Sequence, residues 1–200
     1  MLRRIDFYFD FLSPYSYLAC TQLPRFTEQL GVSFNAIPIS IIDVMKEVGN
    51  TPTTVVCAAK GRYAFADLRR WAVRYGVPIN PNPNFTEIDA RKLLLGAVAA
   101  QEVGEGEAYR KAVFEGVWVN QRAFVDDAEF ISDLIAAGVT EAADILARWG
   151  DYQNGLNANN QRAVESDIFG VPSFKVDDQL FFGNDRLEFL EDYLKTSEVA

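Results

Sequence analysis

Histidine is absent from this 200-residue sequence, and its absence narrows the chemistry that the protein can perform. Histidine is the commonest general base near neutral pH and the commonest protein ligand of transition metals. Catalytic arrangements of the Ser–His–Asp and Cys–His types, and the common zinc hydrolase sites, are therefore excluded. An enzyme with this sequence must use another proton carrier or a nucleophile borrowed from a second molecule.

Cysteine is almost as scarce. The two cysteines, Cys20 and Cys57, lie far apart in the chain, and no C-x-x-C pair is present. Neither a zinc site nor a local redox pair is indicated. We expect both thiols to be reduced and buried.

Positive charge and long apolar runs are also lacking. The sequence has 19 Lys and Arg against 28 Asp and Glu, a net charge of -9, which argues against nucleic acid as a partner. The basic run from Lys60 to Arg74 is interrupted by Asp67 and is interpreted as a solvated helix face. No apolar run approaches membrane-spanning length, and "MLRRIDFYFD" has neither the apolar core nor the cleavage site of a secretory signal. We therefore expect a cytoplasmic protein that binds neither nucleic acid nor membrane.

Apolar and aromatic residues, in contrast, are abundant and regularly spaced. They make up 49% and 13% of the sequence, which is ample for the core of one large domain or of a domain with an insertion. Ile5, Phe7, Phe9 and Phe11 alternate with polar residues. Residues 4–11 are therefore predicted to form a strand with one buried face.

A helix is predicted directly after this strand. Proline suits the first turn of a helix, so Pro14 is expected to begin it and Ser13 to be its N-cap. Apolar residues at helical spacing continue to about Leu30, and Gly31 supplies a left-handed stop. Because the first turn of a helix carries unpaired N–H groups and partial positive charge, the Ser13 hydroxyl would lie beside an anion site. Serine is also a common cap, so the residues alone leave capping without function open.

The remaining segments follow a simple order. Residues 32–40 read as a second strand, parallel to the first through a right-handed crossover. Residues 41–167 are mainly helical in pattern, and the chain then returns to strands with a hairpin turn at Asp177 and Asp178. A closing helix follows, for which Asn184 or Asp185 is the predicted cap.

This order, with S-P-x-S at the first strand-to-helix turn and G-V-P before the hairpin, resembles the DsbA-like branch of the thioredoxin superfamily. Over nearly the whole chain, the sequence is similar to the 2-hydroxychromene-2-carboxylate isomerase family, relatives of kappa-class glutathione transferases. The segments that carry this resemblance are "DFYFDFLSPYSYLA", "GN" at Gly49, Lys60, "RWAVRYGVP", "IFGVPSF" and "FGNDRLEFLE". The resemblance implies an α/β, thioredoxin-like fold with a helical domain inserted after the first β-α-β unit. Residues 1–40 and 168–200 would form the thioredoxin-like domain, and residues 41–167 the helical insertion.

The resemblance also implies a function for the Ser13 turn. Redox enzymes of the superfamily carry C-P-x-C there, whereas Ser13 and Ser16 stand in place of both sulfurs, so disulfide chemistry is lost while the anion site remains. The implied cofactor is glutathione, whose thiolate would accept a hydrogen bond from Ser13 Oγ. Pro172 matches the family's cis-proline, and the backbone of Val171 would pair with the cysteinyl part of glutathione.

Four further positions match family positions that hold glutathione. Asn184 and Asp185 match the turn that binds the γ-glutamyl end. Asn50 and Lys60 match positions that face the sulfur and the glycyl end. From the sequence alone, plain capping at Asn184 and Asp185 and a surface role for Lys60 stay open.

The implied reaction interconverts a cyclic hemiketal carboxylate and a trans benzylidenepyruvate by reversible thiolate addition, which needs no histidine. Lys60 is the first candidate to bind the carboxylate of this small aromatic substrate, and Tyr15, Phe65 and Trp71 are conceivable walls for its ring. Two alternatives stay open: a kappa-like glutathione transferase, and a non-catalytic thioredoxin-like binding module. Relatives often dimerise, so a homodimer is a further expectation. The segment "TPTTVVCAA" after Asn50 departs from the family pattern, which leaves the natural substrate open.

Overall fold

The computed structural model describes residues 3–196. The strands and α-helices, in chain order, are β1 (Arg4–Phe9), α1 (Pro14–Leu30), β2 (Ser33–Pro38), α2 (Ile41–Glu47), α3 (Thr53–Val56), α4 (Ala58–Tyr75), α5 (Ala90–Glu102), α6 (Gly106–Trp118), α7 (Asp127–Ala136), α8 (Ala142–Arg148), α9 (Gln153–Glu165), β3 (Ser173–Val176), β4 (Gln179–Phe182) and α10 (Leu187–Thr196). Short 3-10 helices span Phe85–Glu87, Trp149–Tyr152 and Asn184–Arg186. Within this range, no helix combines the length and the apolarity needed to cross a membrane.

The four strands form one mixed sheet in the order β2-β1-β3-β4. β1 and β2 are parallel, as the helical connection between them predicts, with Phe7 opposite Ala36. β3 lies antiparallel to β1 and pairs with β4 through the predicted hairpin. This order places the turn that follows β1 next to the loop that precedes β3.

The boundaries of α1 are the predicted ones. Ser13 is the N-cap, Pro14 is the first helical residue, and Gly31 ends the helix with a φ of 60°. β1 ends at Phe9, two residues before the predicted position. The reason is a tight turn in which the Ser13 N–H donates to the Asp10 carbonyl at 3.1 Å, so that residues 10–13 no longer pair with a strand.

Helices pack against both faces of the sheet. On one face, the Phe7 ring stacks on Phe174 with 5.0 Å between centroids, and Phe11 lies 4.9 Å from Phe114 of α6. The helices that follow β2 therefore share a core with β1. On the other face, Tyr8 packs with Ala163 of α9 in a smaller apolar cluster. The division of the chain into two domains stays a prediction.

Two local predictions were wrong. Asn184 and Asp185 do not cap α10, because they lie inside a 3-10 helix that follows Gly183 and precedes Leu187. Cys57 is exposed, because it lies at the surface junction of α3 and α4. Cys20 is partly buried, its sulfur accepts a hydrogen bond from Arg110 Nε at 3.4 Å, and burial raises the pKa of its thiol. Both thiols are free.

Candidate active site

The Ser13 hydroxyl lies where the first turn of α1 meets the loop before β3. The Ser13 backbone is extended, which lets Oγ accept the Ser16 N–H at 3.1 Å. The same Oγ donates to the carbonyl oxygen of Val171 at 3.4 Å. A hydrogen bond of this length is weak. An anion at the helix start could therefore replace the Val171 carbonyl as the acceptor of this hydrogen bond.

The second serine of the S-P-Y-S turn has a different environment. Ser16 is fully buried, and its Oγ has no hydrogen-bond partner among the described residues. Ser13 is only partly buried. Of the two hydroxyls that replace the redox sulfurs, Ser13 is therefore the one that a ligand can reach.

The loop before β3 has the expected geometry at Pro172. The Val171–Pro172 peptide bond is cis. The Pro172 carbonyl accepts the Gly183 N–H at 2.9 Å, which fixes this loop against the end of β4. The structure thus brings together three sequence-predicted positions, Ser13, Val171 and Pro172.

Asn50 is hydrogen-bonded to the cis-proline loop, whereas Lys60 makes no hydrogen bond to that loop or to Ser13 in the described part of the chain. Asn50 Nδ2 donates to the Phe169 carbonyl at 2.7 Å, which ties the segment after α2 to the cis-proline loop. Lys60 is exposed on α4, and its Nζ donates to Thr53 Oγ1 at 2.9 Å. The surface alternative for Lys60 thus agrees with its contacts, and a role at the site stays a prediction.

Asn184 and Asp185 line a cavity between α1, α4 and the 184–186 turn. The Tyr75 hydroxyl donates to the Asn184 carbonyl at 2.9 Å, and the Asn184 side chain is 3% exposed. Asp185 forms an ion pair with Arg186. The cavity measures about 210 Å³ and is lined by Gln22, Arg25, Trp71, Arg74, Tyr75, Asn184, Asp185, Leu187 and Glu188.

The sequence did not single out Tyr75 as a residue of this site. Its hydroxyl is held between the end of α4 and the 184–186 turn by the bond to the Asn184 carbonyl. Burial raises the pKa of Tyr75, and the Asn184 side-chain amide, which donates to the Tyr75 hydroxyl at 3.4 Å, has a smaller opposing effect. The local signal was its position immediately before Gly76, the left-handed end of α4. That signal predicts a helix terminus but does not reveal which turn packs against it.

Asp10 was also missed, although it lies three residues before Ser13. Its side chain is 4% exposed, and its two carboxylate oxygens accept the Leu12 N–H at 2.9 Å and the Ile41 N–H at 3.0 Å. Burial raises the pKa of Asp10 to about 6, against the lowering effect of these two hydrogen bonds, and Asp43 adds to the rise. Asp10 thus joins the Ser13 turn to the start of α2.

Aromatic side chains around these elements are available to pack against a ring. Tyr15 and Trp71 are half-buried, and Phe65 is 58% exposed. The Tyr15 hydroxyl donates to the Ala64 carbonyl at 3.3 Å, which joins the first turn of α1 to α4. An aromatic pair that the sequence did not single out, Phe169 and Phe182, flanks the cis-proline loop with 4.8 Å between ring centroids.

The sequence and the fold both match known proteins. The profile of the DSBA-like thioredoxin domain matches residues 4–195. A 2-hydroxychromene-2-carboxylate isomerase of Sphingobium xenophagum is 35% identical over 97% of this chain and 99% of its own length. Glutathione S-transferase kappa 1 of Caenorhabditis elegans is 31% identical over 97% of this chain and 92% of its own length.

Solved structures agree with these relatives. A structure of 2-hydroxychromene-2-carboxylate isomerase has a TM-score of 0.84 and 27% identity, with 98% of this chain and 99% of that chain covered. Cytosolic disulfide reductase DsbM from Pseudomonas aeruginosa, solved with GSH, has a TM-score of 0.66 at 15% identity, over 98% of each chain, and shares the fold. The predicted α/β, thioredoxin-like fold class is confirmed. The chain belongs to the DSBA-like thioredoxin domain family, in the branch that contains 2-hydroxychromene-2-carboxylate isomerases and their kappa-class glutathione transferase relatives.

Proposed function

We propose that the protein is a glutathione-dependent cis-trans isomerase that acts on 2-hydroxychromene-2-carboxylate or a similar aromatic carboxylate. The observation that carries this proposal is the Ser13 hydroxyl, partly accessible at the start of α1, with only a weak contact to the Val171 carbonyl. The isomerase relatives, at 30–35% identity, support the reaction class.

The residues present fit glutathione. The start of α1 offers N–H groups and partial positive charge to a thiolate. The cavity of about 210 Å³ that Asn184 and Asp185 line has the charged and polar groups that a γ-glutamyl end requires. Glutathione would supply a thiolate that adds reversibly to the activated alkene, so that the former double bond can rotate.

The chain has to stabilise that thiolate and position it. An ordinary thiol with a pKa of about 8.5 is only a few per cent ionised at neutral pH, and lowering it by about two units requires about 2.7 kcal/mol. One charge-assisted hydrogen bond from Ser13 Oγ, worth roughly 1.5–3 kcal/mol, together with the helix dipole, is sufficient. Ser13 therefore acts as a hydrogen-bond donor during the whole reaction and exchanges no proton with the substrate.

The other predicted residues hold the two reactants. In this proposal the Val171 backbone aligns the cysteinyl part, Asn184 and Asp185 hold the γ-glutamyl end, and Asn50 lies near the sulfur. Lys60 would approach the glycyl carboxylate or the substrate carboxylate. Lys60 is exposed, and its hydrogen bond to Thr53 uses one of the three N–H groups of its ammonium, which leaves the others available for that interaction.

The test is a spectrophotometric isomerase assay with and without glutathione. Ser13→Ala should lower turnover by about ten- to a hundredfold, the loss of roughly 1.4–2.7 kcal/mol. Ser16→Ala is the matched control, because the buried Ser16 hydroxyl has no hydrogen-bond partner among residues 3–196. Turnover that is independent of glutathione, or unchanged in Ser13→Ala, would overturn the proposal.

Two other functions remain as outcomes of the same test. The kappa-class relatives favour a glutathione transferase as the second candidate, and net consumption of glutathione during turnover would indicate it. Failure to bind glutathione in calorimetry would indicate a non-catalytic binding module. A cytoplasmic location, where the thiol is kept reduced, and a homodimer belong to the proposal; size-exclusion chromatography with light scattering tests the latter.

A further inference from the structure

A second, larger cavity lies at the end of β1 that is remote from Ser13. β1 is six residues long, so at about 3.3 Å per residue its two ends are about 16 Å apart. The cavity measures about 410 Å³ and is lined by Arg4, Asp6, Asn35, Arg162, Ser166, Lys175 and Asp177. None of these residues belongs to the candidate active site.

The floor of this cavity is the polar half of one sheet face. Asn35 of β2 and Lys175 of β3 are the lateral neighbours of Asp6 on β1, and Arg4 lies two residues further along the same strand face. These side chains form a short row across three strands. The register of the paired strands brings these residues side by side. The spacing between their side chains is therefore fixed by the sheet and not by a loop.

The cavity is open because α9 covers only half of this sheet face. Tyr8 and Ile37 lie under the helix in an apolar cluster. The helix ends at Glu165, where Ser166 Oγ accepts the Tyr8 hydroxyl at 3.3 Å. Beyond this point the face is polar, and the rim contains Arg162 of α9 and Ser166, which directly follows the helix.

The charges in the cavity are not balanced within it. The Asp6 carboxylate pairs with Arg162, and the Asp177 carboxylate pairs with Arg3. Arg4 and Lys175, however, have no carboxylate partner within ion-pair distance in the part of the chain that the structure describes. Three cations and two carboxylates therefore line the cavity, and two of the cations, Arg4 and Lys175, form no ion pair with either carboxylate.

Both cations keep unused donors. The Arg4 guanidinium donates to Asn35 Oδ1 at 2.6 Å, which orients it and leaves its other N–H groups available. The Lys175 ammonium donates to the Ser166 carbonyl at 3.3 Å, which uses one of its three N–H groups. The Ser166 hydroxyl, which accepts from Tyr8, can donate in turn.

We propose that this cavity is a binding site for a small doubly charged oxyanion, namely a phosphate group. Arg4 and Lys175 neutralise its charge, and the fixed guanidinium of Arg4 provides two donors toward its oxygens. The lining has no apolar floor for a ring, so recognition is confined to the phosphate and to what is directly attached to it. Inorganic phosphate and a phosphate monoester share this chemistry.

The proposal is tested by NMR chemical-shift titration of the full chain with inorganic phosphate and, separately, with glycerol 1-phosphate. Ionic strength is held constant with sodium chloride, because screening alone changes exposed ion pairs. We expect saturable chemical-shift changes at the cavity residues. Both ligands should produce them if the site recognises the phosphate group alone, and only glycerol 1-phosphate should do so if the site also requires the carbon attached to the phosphate.

Two variants and one control make the result specific. Arg4→Gln and Lys175→Gln should each weaken phosphate binding by about tenfold or more, since each removes one charge-assisted contact. Lys111→Gln removes the same charge from an exposed position on α6 and should leave binding unchanged. Arg4 is exposed, and its side chain makes one hydrogen bond within residues 3–196, so its variant keeps the test valid if Lys175→Gln fails to fold.

The proposal is wrong if neither phosphate ligand produces shifts beyond those of chloride at equal ionic strength. It is also wrong if Lys111→Gln weakens binding as much as the cavity variants do, because that result would indicate a general charge effect. Glutathione binding, measured in parallel, should be unchanged in all three variants. The outcome is therefore separable from that of the proposed isomerase function.

Discussion

Asp10→Asn is expected to change the pH dependence of stability in a defined direction. The Asp10 carboxylate is almost fully buried and accepts the N–H groups of Leu12 and Ile41. Its pKa is raised from the ordinary 3.8 to about 6, chiefly because burial disfavours the charged form. Between these two values, the folded protein holds a proton that the unfolded chain has released.

The sign and the size of the effect follow from that difference. Because the folded state binds more protons in this window, the contribution of Asp10 to the free energy of unfolding falls as the pH rises from about 4 to about 6, and it is constant above. A rise in pKa of this size corresponds to about 3 kcal/mol. The amide of Asp10→Asn cannot ionise, so the variant lacks this contribution at every pH.

The assay is urea denaturation of both proteins across this pH range. The unfolding free energy of the wild type minus that of Asp10→Asn should fall by about 3 kcal/mol between about pH 4 and pH 7. All other titrating groups are common to both proteins and cancel in the difference. A difference that is independent of pH, or one that rises with pH, would refute the assignment of a raised pKa to Asp10.

Three further predictions concern packing, the cavity lined by Asn184 and Asp185, and redox chemistry. Gly96→Ala should destabilise the protein by about 1–3 kcal/mol in urea denaturation, because a Cβ there would lie 2.1 Å from the Tyr109 hydroxyl oxygen, whereas Gly150→Ala, with open space around it, should be close to neutral. Tyr75→Phe should raise the KM for glutathione by about three- to tenfold with a smaller change in kcat, since the two hydrogen bonds between the Tyr75 hydroxyl and Asn184 are lost; an unchanged KM would contradict the assignment of that cavity. The protein should not reduce insulin disulfides in a turbidity assay, because no C-x-x-C pair is present; measurable turnover would show that another thiol acts.

Features with a local cause could be predicted from the sequence. Pro14 and Gly31 define the ends of α1 because proline and glycine restrict the backbone whatever the tertiary context. The hairpin at Asp177 was predictable for the same reason, since its φ of 53° requires a turn residue that tolerates the left-handed region. These signals were sufficient to place Ser13 at the start of a helix.

Features that depend on tertiary contacts could not be predicted from the sequence. Asp10 occupies a polar position in the alternating pattern, which predicts exposure, yet the turn after β1 buries it against the start of α2. Asparagine is a residue type favoured at helix N-caps, but Asn184 lies inside a 3-10 turn, where its carbonyl accepts a hydrogen bond from Tyr75. In both cases the deciding partner lies about 30 or more residues away, beyond any window in which periodicity is informative.

The choice of serine at position 13 has a physical basis that goes beyond the loss of redox chemistry. A thiol at the start of α1 would itself ionise there, and two sulfurs facing each other would form a mixed disulfide under mild oxidation. The Ser13 hydroxyl cannot ionise near neutral pH and cannot be oxidised to a disulfide, so toward a bound thiolate it acts only as a hydrogen-bond donor. In the present structure that proton points to the Val171 carbonyl, which belongs to the backbone segment that would align the guest. Arrival of a thiolate would therefore exchange one weak internal contact for a charge-assisted one, and the Val171 carbonyl would be released at the moment when it is needed to pair with the peptide of the guest.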